Sequence, residues 1–195
     1  MYGKKAIQAE ATKATLERVA RRLFAERGFA AVSAEELVAR AGLTRGALYH
    51  HYDGKEGLFA AIVESVMKDM HAKLAADAAA EPEPLRGLLR GIHAFLEVCT
   101  RPSVQRILLI DAPAVLGWPK WREMDARYGL GLLKSALSNA MKRGLLRTQD
   151  ADVLAHLLLG ALTEAAMIIA RSKTPAKSRK AAEQALASMV SGWRA

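Results

Sequence analysis

The stretch LTRGALYHHYDGK, residues 43 to 55, sets Arg45, Tyr49, His50, His51, Tyr52 and Lys55 close together. Two imidazoles side by side suggest a metal site, but neighbouring residues of a helix point about 100° apart. His50 and His51 therefore do not converge on one ion, and no metal site is expected. Tyr52 suits packing, since it precedes a helix-start signal and can lie on Leu58 and Phe59. Arg45, Tyr49 and His50 do not suit a core. They suit a duplex: a helix tip fits the major groove and a guanidinium can donate to guanine edges. A tyrosine hydroxyl, an imidazole and the Lys55 ammonium can hold phosphates.

Those residues need short helices to present them. Apolar residues recur at three- and four-residue intervals almost throughout, which predicts an all-α chain of about nine helices. The first spans about Ile7 to Arg27, with Leu16, Val19, Ala20, Leu23 and Phe24 on one stripe and Gly28 as its C-terminal cap. A second follows Ser33, where Ser33 and Glu36 have the spacing of a capping box, and ends near Ala41 at Gly42. Thr44 caps a third, Arg45 to His51, and Asp53 with Glu56 predicts another box that starts a long fourth helix. Two helices joined through Gly42-Leu43, with Leu37, Val38, Ala41 and Leu48 available to pack, form a helix-turn-helix arrangement.

Leu23 to Leu58 resembles the DNA-binding domain of the TetR family of bacterial transcriptional regulators. The match combines Phe24, Gly28-Phe29, Ser33, Leu37, Ala41-Gly42-Leu43, Gly46, Leu48-Tyr49, His51, Lys55 and Leu58 in one register. The resemblance implies an all-helical homodimer that places two recognition helices in successive major grooves of a near-palindromic double-stranded DNA operator. It implies that Thr44, Arg45, Ala47, Tyr49, His50, His51 and Lys55 line the DNA. Arg45 and His50 are expected to reach bases, and Thr44, Tyr49, His51 and Lys55 to hold the backbone. The chain departs from the family at Ala34, usually a branched aliphatic, and at Val38, usually alanine. These positions lie one turn apart, so the volume changes can offset each other. Tyr52 replaces the commoner phenylalanine and adds a hydroxyl able to reach solvent or phosphate.

The expected organisation is a helix-turn-helix domain over residues 1–54 and a ligand-binding and dimerisation domain over 55–195. In the larger domain the helix from Asp150 to Arg171 carries more apolar surface than one side needs. The resemblance suggests that it and the last helix, Pro175 to Trp193, form a four-helix dimer interface. Leu154, Leu158, Leu162, Ala165, Leu186, Met189, Val190 and Trp193 are the candidate residues. The stretch from Leu109 to Gly129 interrupts the helical pattern with two prolines and brings in Trp118, Trp121 and Tyr128. His93, Phe95, Leu96, Ile107, Trp118, Tyr128, Glu164 and Met167 are candidates to line an effector pocket. The effector expected is a small, largely apolar or aromatic molecule, and Asp111 or Glu164 would favour a cationic one if either faced a cavity.

Composition narrows the alternatives. The formal charge is +9, yet residues 1–60 hold ten Lys and Arg against seven Asp and Glu, and residues 171–195 hold six against one. Bulk charge thus does not mark the duplex-binding end. Cys99 is the sole cysteine, so it forms no disulfide within the chain and is expected as a small buried residue. The apolar run Leu157 to Ile169 is broken by Gly160, Thr163 and Glu164, so no membrane span is expected. Met1 to Glu10, with Lys4 and Lys5, lacks a secretory pattern, which predicts a cytoplasmic protein. Gly129-Leu-Gly131 lacks a third glycine and a preceding strand, no phosphate loop occurs, and Asp125, His156 and Glu164 form no site by spacing. No enzyme activity and no cofactor are expected.

Overall fold

The computed structural model describes residues 2–195, apart from the side chains of Tyr2, Lys4 and Lys5. Among them the chain folds as α1 (Tyr2–Arg27), α2 (Ala34–Ala41), α3 (Arg45–Tyr52), α4 (Lys55–Ala79) and α5 (Pro84–Val98). Then follow α6 (Pro102–Val104), a π-helical segment (Gln105–Asp111), α7 (Ala112–Leu116), α8 (Trp118–Lys142), α9 (Ala151–Arg171) and α10 (Pro175–Ser191). The run from α6 to α7 is unbroken, so the described residues make nine helical rods, as the periodicity predicts. The stretch Leu109 to Gly129 is not an interruption. Pro113 is accommodated where the π-helical segment passes into α7, and only Gly117, at φ 80°, separates two helices. α1 starts at Tyr2 rather than near Ile7.

The chain divides into two compact units. The first joins residues up to Val66 with Pro102–Lys120, and the second joins Met67–Arg101 with Trp121–Ala195. In the first, the apolar stripe of α1 is fully buried, together with Leu37, Leu48, Leu58 and Phe59. The rings of Phe24, Phe29 and Phe59 meet at centroid distances of 4.9 to 5.8 Å. Such aromatic pairs add about 0.5–1.5 kcal/mol each beyond the area they bury.

In the second unit α5, α8, α9 and α10 close around Leu88, Ile92, Leu96, Leu137, Leu158, Leu162, Leu186 and Val190. The α9 and α10 residues expected at a dimer interface are part of this core: Leu154, Leu158, Leu162, Ala165, Leu186 and Val190 are buried, and Met189 and Trp193 pack against them. The surplus apolar surface of α9 lies elsewhere. Val153, Leu157 and Ile168 are 54%, 60% and 52% exposed, and with Gly160 and Glu164 they share one face of the helix. Among the described residues α9 is the one helix long and apolar enough to cross a bilayer, its breaks notwithstanding. In the fold 56% of its most apolar 18-residue window is buried, as in the core helix of a globular unit.

One buried polar group ties α8 to α9. Arg122 Nη1 donates to Asp125 Oδ2 at 2.6 Å and to Thr163 Oγ1 at 2.9 Å, and Thr163 donates to the same carboxylate at 3.0 Å. Burial pushes the Asp125 carboxyl upward, against the pull of Thr163 and Arg122. Such a network fixes the register between two helices more than it adds net stability. His156 and Glu164 are both exposed, and neither hydrogen-bonds to the buried Asp125 in this network. Cys99 is buried, and burial, with Asp125 nearby, pushes its thiol up to about 12, so it stays protonated and inert. The chain end closes the unit, with Arg147 N donating to Trp193 O at 2.9 Å.

Candidate nucleic-acid interface

Local chemistry fixes the two short helices. Ser33 accepts from Glu36 N at 3.0 Å and Thr44 from Ala47 N at 3.3 Å, so each hydroxyl serves an otherwise orphaned amide. The reciprocal half of the first box does not form, because the Glu36 carboxylate pairs with Arg27 of α1 instead. Between the helices Gly42 sits at φ 66°, ψ 31°, and Leu43 N donates to Val38 O at 2.9 Å. Only a residue without a Cβ enters that left-handed turn freely. Leu48 is completely buried, which anchors α3 by one face and leaves the other in solvent.

That outer face holds Thr44, Arg45, Tyr49 and His50, all exposed, with Ala47 and His51 half-buried beside them. Arg45 is poised rather than free. Nη1 donates to Glu35 Oε1 at 3.0 Å, Nη2 donates to the Tyr49 hydroxyl at 3.3 Å, and the guanidinium lies 5.4 Å from the Tyr49 ring centroid. The Tyr49 ring in turn rests on Gly54, where a Cβ would stand 3.3 Å from Cε1. His50 and His51 rings meet edge to face at 5.0 Å, and no group of three metal-ligating side chains occurs among the described residues.

The joint between α3 and α4 differs from the expected capping box. Asp53 adopts φ 56° and ends α3, its N–H donating to Tyr49 O at 3.2 Å. Aspartate tolerates this region better than most residues, which explains its choice here. The Tyr52 hydroxyl donates to Glu17 Oε1 of α1 at 2.8 Å instead of reaching solvent or phosphate, and burial followed by Glu17 raises its pKa.

Lys55 is half-buried and donates to Phe29 O at 3.1 Å and Val32 O at 2.9 Å, with its Nζ 3.9 Å from the Phe29 ring centroid. Two of its three donors are thus used within the unit. Lys55→Ala should therefore weaken this unit as well as duplex binding. We expect about 1–3 kcal/mol lost in urea denaturation from the two unserved carbonyls. The salt slope of duplex binding should fall by about one phosphate. Unchanged stability would show that water serves those carbonyls equally well.

A long-range contact completes the loop after α1. Gly28, at φ 81°, is followed by Phe29, whose N–H donates to Asp111 Oδ2 at 2.7 Å. Asp111 is thus a bracing residue of the first unit and not a lining residue for a cationic ligand.

The second unit contains an apolar cavity of about 100 Å³ between α4, α5, α8 and α9. Leu74, Ala78, Leu88, Gly91, Ile92, Phe95, Gly129, Leu132, Leu133, Ala136, Leu159 and Leu162 surround it, and His71 is the single titratable side chain in its wall. Of the candidate pocket residues Phe95 alone lines it. Tyr128 stands behind the wall, stacked on His71 at 6.1 Å. Leu96 and Met167 are buried in packing. His93 is exposed, its Nδ1 3.2 Å from Glu183 Oε1. Trp118 and Glu164 are exposed, and Ile107 belongs to the first unit, at an open groove beside Arg18 and Arg22.

His71 was legible, because Val63, Met67, His71, Leu74 and Ala78 recur at helical spacing and put the imidazole on the buried stripe of α4. It is 8% exposed, and burial lowers its pKa from 6.5 to about 4. The folded chain thus refuses a proton that the unfolded chain accepts between pH 6.5 and 4. The resulting stability is full above pH 6.5 and lost as pH falls, by about 3 kcal/mol near pH 4. In urea titrations at pH 7 and 4.5, His71→Leu should lose less stability on acidification than the wild type. An equal loss in both would move the acid sensitivity to other groups.

A capped helix pair turned at a left-handed glycine, with a polar face raised on a buried leucine, defines a helix-turn-helix DNA-binding regulator. Residues 18–62 match the family described as bacterial regulatory proteins, tetR family, and residues 85–193 match the tetracyclin repressor-like C-terminal domain. The chain belongs to the TetR family of transcriptional regulators. A TetR-family regulator from Pectobacterium atrosepticum has a similar structure, with TM-score 0.87 and 36% identity over 96% of both chains. The transcriptional repressor BepR of Brucella suis biovar 1 is 30% identical over 165 residues, covering 78% of this chain and 77% of that protein. The Tn10 TetC protein of Escherichia coli is 27% identical over 153 residues, covering 77% and 76%. Regulators of this family bind DNA operators, dimerise and bind small molecules.

Proposed function

We propose that this chain is a cytoplasmic repressor whose homodimer holds a near-palindromic operator until a small, largely apolar effector releases it. The observation that carries this reading is the outer face of α3, where Arg45, Tyr49 and His50 stand exposed on a helix fixed by Leu48 and Thr44. Arg45 and His50 read base edges, and Thr44, Tyr49, His51 and the remaining donor of Lys55 hold the backbone, with Ala47 against the groove wall. Functionally, residues 1–54 serve the DNA and residues 55–195 serve the effector and the dimer. Two heads read half-sites about one helical turn, roughly 34 Å, apart, so a small change in their separation loosens both at once.

The dimer forms through the α9 face of Val153, Leu157 and Ile168 and the adjoining small residues of α10, Ala181, Ala185 and Ser188, which are exposed. Effector and operator oppose each other with a coupling of typically about 1–3 kcal/mol, the same whichever binds first. The reading is tested by selecting bound sequences from a random duplex library near physiological salt, with Tyr49→Ala beside the wild type. An inverted repeat enriched by the wild type and lost by the variant supports it. A folded dimer that enriches nothing, before or after stripping of small molecules, ends it.

A further inference from the structure

The cavity of the second unit carries one polar group, and that group is unanswered. Both ring nitrogens of His71 are buried without a hydrogen-bond partner among the described residues. A neutral imidazole offers one N–H and one lone pair, and leaving both unserved in an apolar wall is costly. Native structures retain such groups where something else answers them. Two glycines point the same way. A helix-interior glycine costs roughly 1 kcal/mol against alanine. Yet α5 has Gly91, where a Cβ would meet nothing within 4 Å, and α8 has Gly129, where a Cβ would stand 2.9 Å from Leu159 Cδ1 and 3.6 Å from His71 Cε1. Both glycines line the cavity, so a side chain at either position would take up part of its space.

We propose that this cavity takes an uncharged hydrocarbon ligand bearing a single hydroxyl, which exchanges a hydrogen bond with the neutral imidazole of His71. No Asp, Glu, Lys or Arg lines the wall, so neither an anion nor a cation would find a counter-charge there. A hydroxyl is both donor and acceptor and can answer either imidazole nitrogen, both of which are buried without a partner, once the ring turns one of them toward the ligand. The volume sets an upper limit: about 100 Å³ is roughly two-thirds of a cavity of about 150 Å³ that admits benzene, so a ligand no larger than about one six-membered ring is the scale here. The inference rests on the proposed role of the second unit as the effector-sensing part, and it adds the chemical class and the residue that reads it.

The test is calorimetric titration of the full-length dimer at pH 7.5 with phenol, toluene and benzoate, for wild type, His71→Leu and Gly91→Leu. The expected result is phenol binding about tenfold or more tighter than toluene, since a site built for a hydroxyl rejects the analogue lacking it. Benzoate should bind more weakly than phenol. His71→Leu should bring phenol and toluene within about threefold of each other while toluene still binds, and Gly91→Leu should block both with the thermal transition retained. Equal binding of phenol and toluene by the wild type, preference for benzoate, absence of phenol binding, or phenol binding unaffected by Gly91→Leu would each overturn the proposal. Operator titrations of the same samples separate the two readings. Phenol binding that leaves operator affinity unchanged overturns the effector role and not the site, whereas intact operator binding with no phenol binding overturns the site alone.

Discussion

Arg45→Ala should bind operator and random duplex with nearly equal affinity at the base pair this side chain reads. One bidentate arginine contact discriminates by about 1–3 kcal/mol, roughly a 5- to 150-fold preference. Non-specific binding, which depends on phosphate neutralisation, should fall far less. The geometry adds a second arm. In the free protein the guanidinium is held by Glu35 and Tyr49, and both members of the Arg45–Glu35 pair are more than 60% exposed. An exposed pair of this kind contributes little to folding. Glu35→Ala should therefore leave the denaturation curve within about 0.5 kcal/mol of wild type. It should also strengthen operator binding, because the arginine no longer has to leave a carboxylate. Competition assays with operator and scrambled duplex read both arms. A specificity ratio unchanged by Arg45→Ala would transfer base reading to His50 or to another residue.

Leu157→Glu should give a folded monomer that no longer holds its operator. The side chain is 60% exposed in the subunit, so its replacement costs the fold little, but in a two-fold contact through this face it would set two carboxylates against apolar surface. Loss of the second head removes the effective-concentration gain of a bivalent binder, about 10²- to 10⁴-fold in operator affinity. Leu158→Ala, one position along, should behave in the opposite way. Leu158 is fully buried in the subunit core. Its truncation should cost about 2–5 kcal/mol of subunit stability, with a smaller effect on association at temperatures where the fold survives. Light scattering after gel filtration, beside urea denaturation, distinguishes the two. A Leu157→Glu protein that remains dimeric at micromolar concentration would place the interface on another face.

That contrast shows what the sequence could and could not convey. Local signals carried the DNA-binding unit: Gly28, Gly42, Ser33 and Thr44 act where their conformational and hydrogen-bonding chemistry predicts, and the stripe of α1 is buried residue for residue. Local reasoning failed where a partner comes from afar. The Glu36 carboxylate turns to Arg27, Tyr52 to Glu17, and Asp53 enters a left-handed joint instead of capping the next helix. In the second unit the limit is one of symmetry. α9 is apolar around most of its circumference, so periodicity cannot choose which stripe meets the subunit core and which faces outward, and the residues expected at the interface lie on the stripe that packs into the core. Aromatics near helix breaks are what suggest a pocket in the sequence. The observed cavity is bounded by leucines, by glycines inside helices and by one histidine on an apolar stripe, features that mark removed volume rather than added chemistry.

The hydrogen bond from Phe29 N to Asp111 bears on how this protein could be recombined with its relatives. The loop that ends α1 is braced by a residue 82 positions away, and the first compact unit counts Pro102–Lys120 among its parts. A chimera cut after α4 would carry the reading head of one regulator onto the π-helical segment of another and leave the Phe29 amide to whatever residue stands at position 111. Splicing that respects the physics exchanges two segments together, up to Val66 and Pro102–Lys120, so the module that inherits operator choice is discontinuous in the gene.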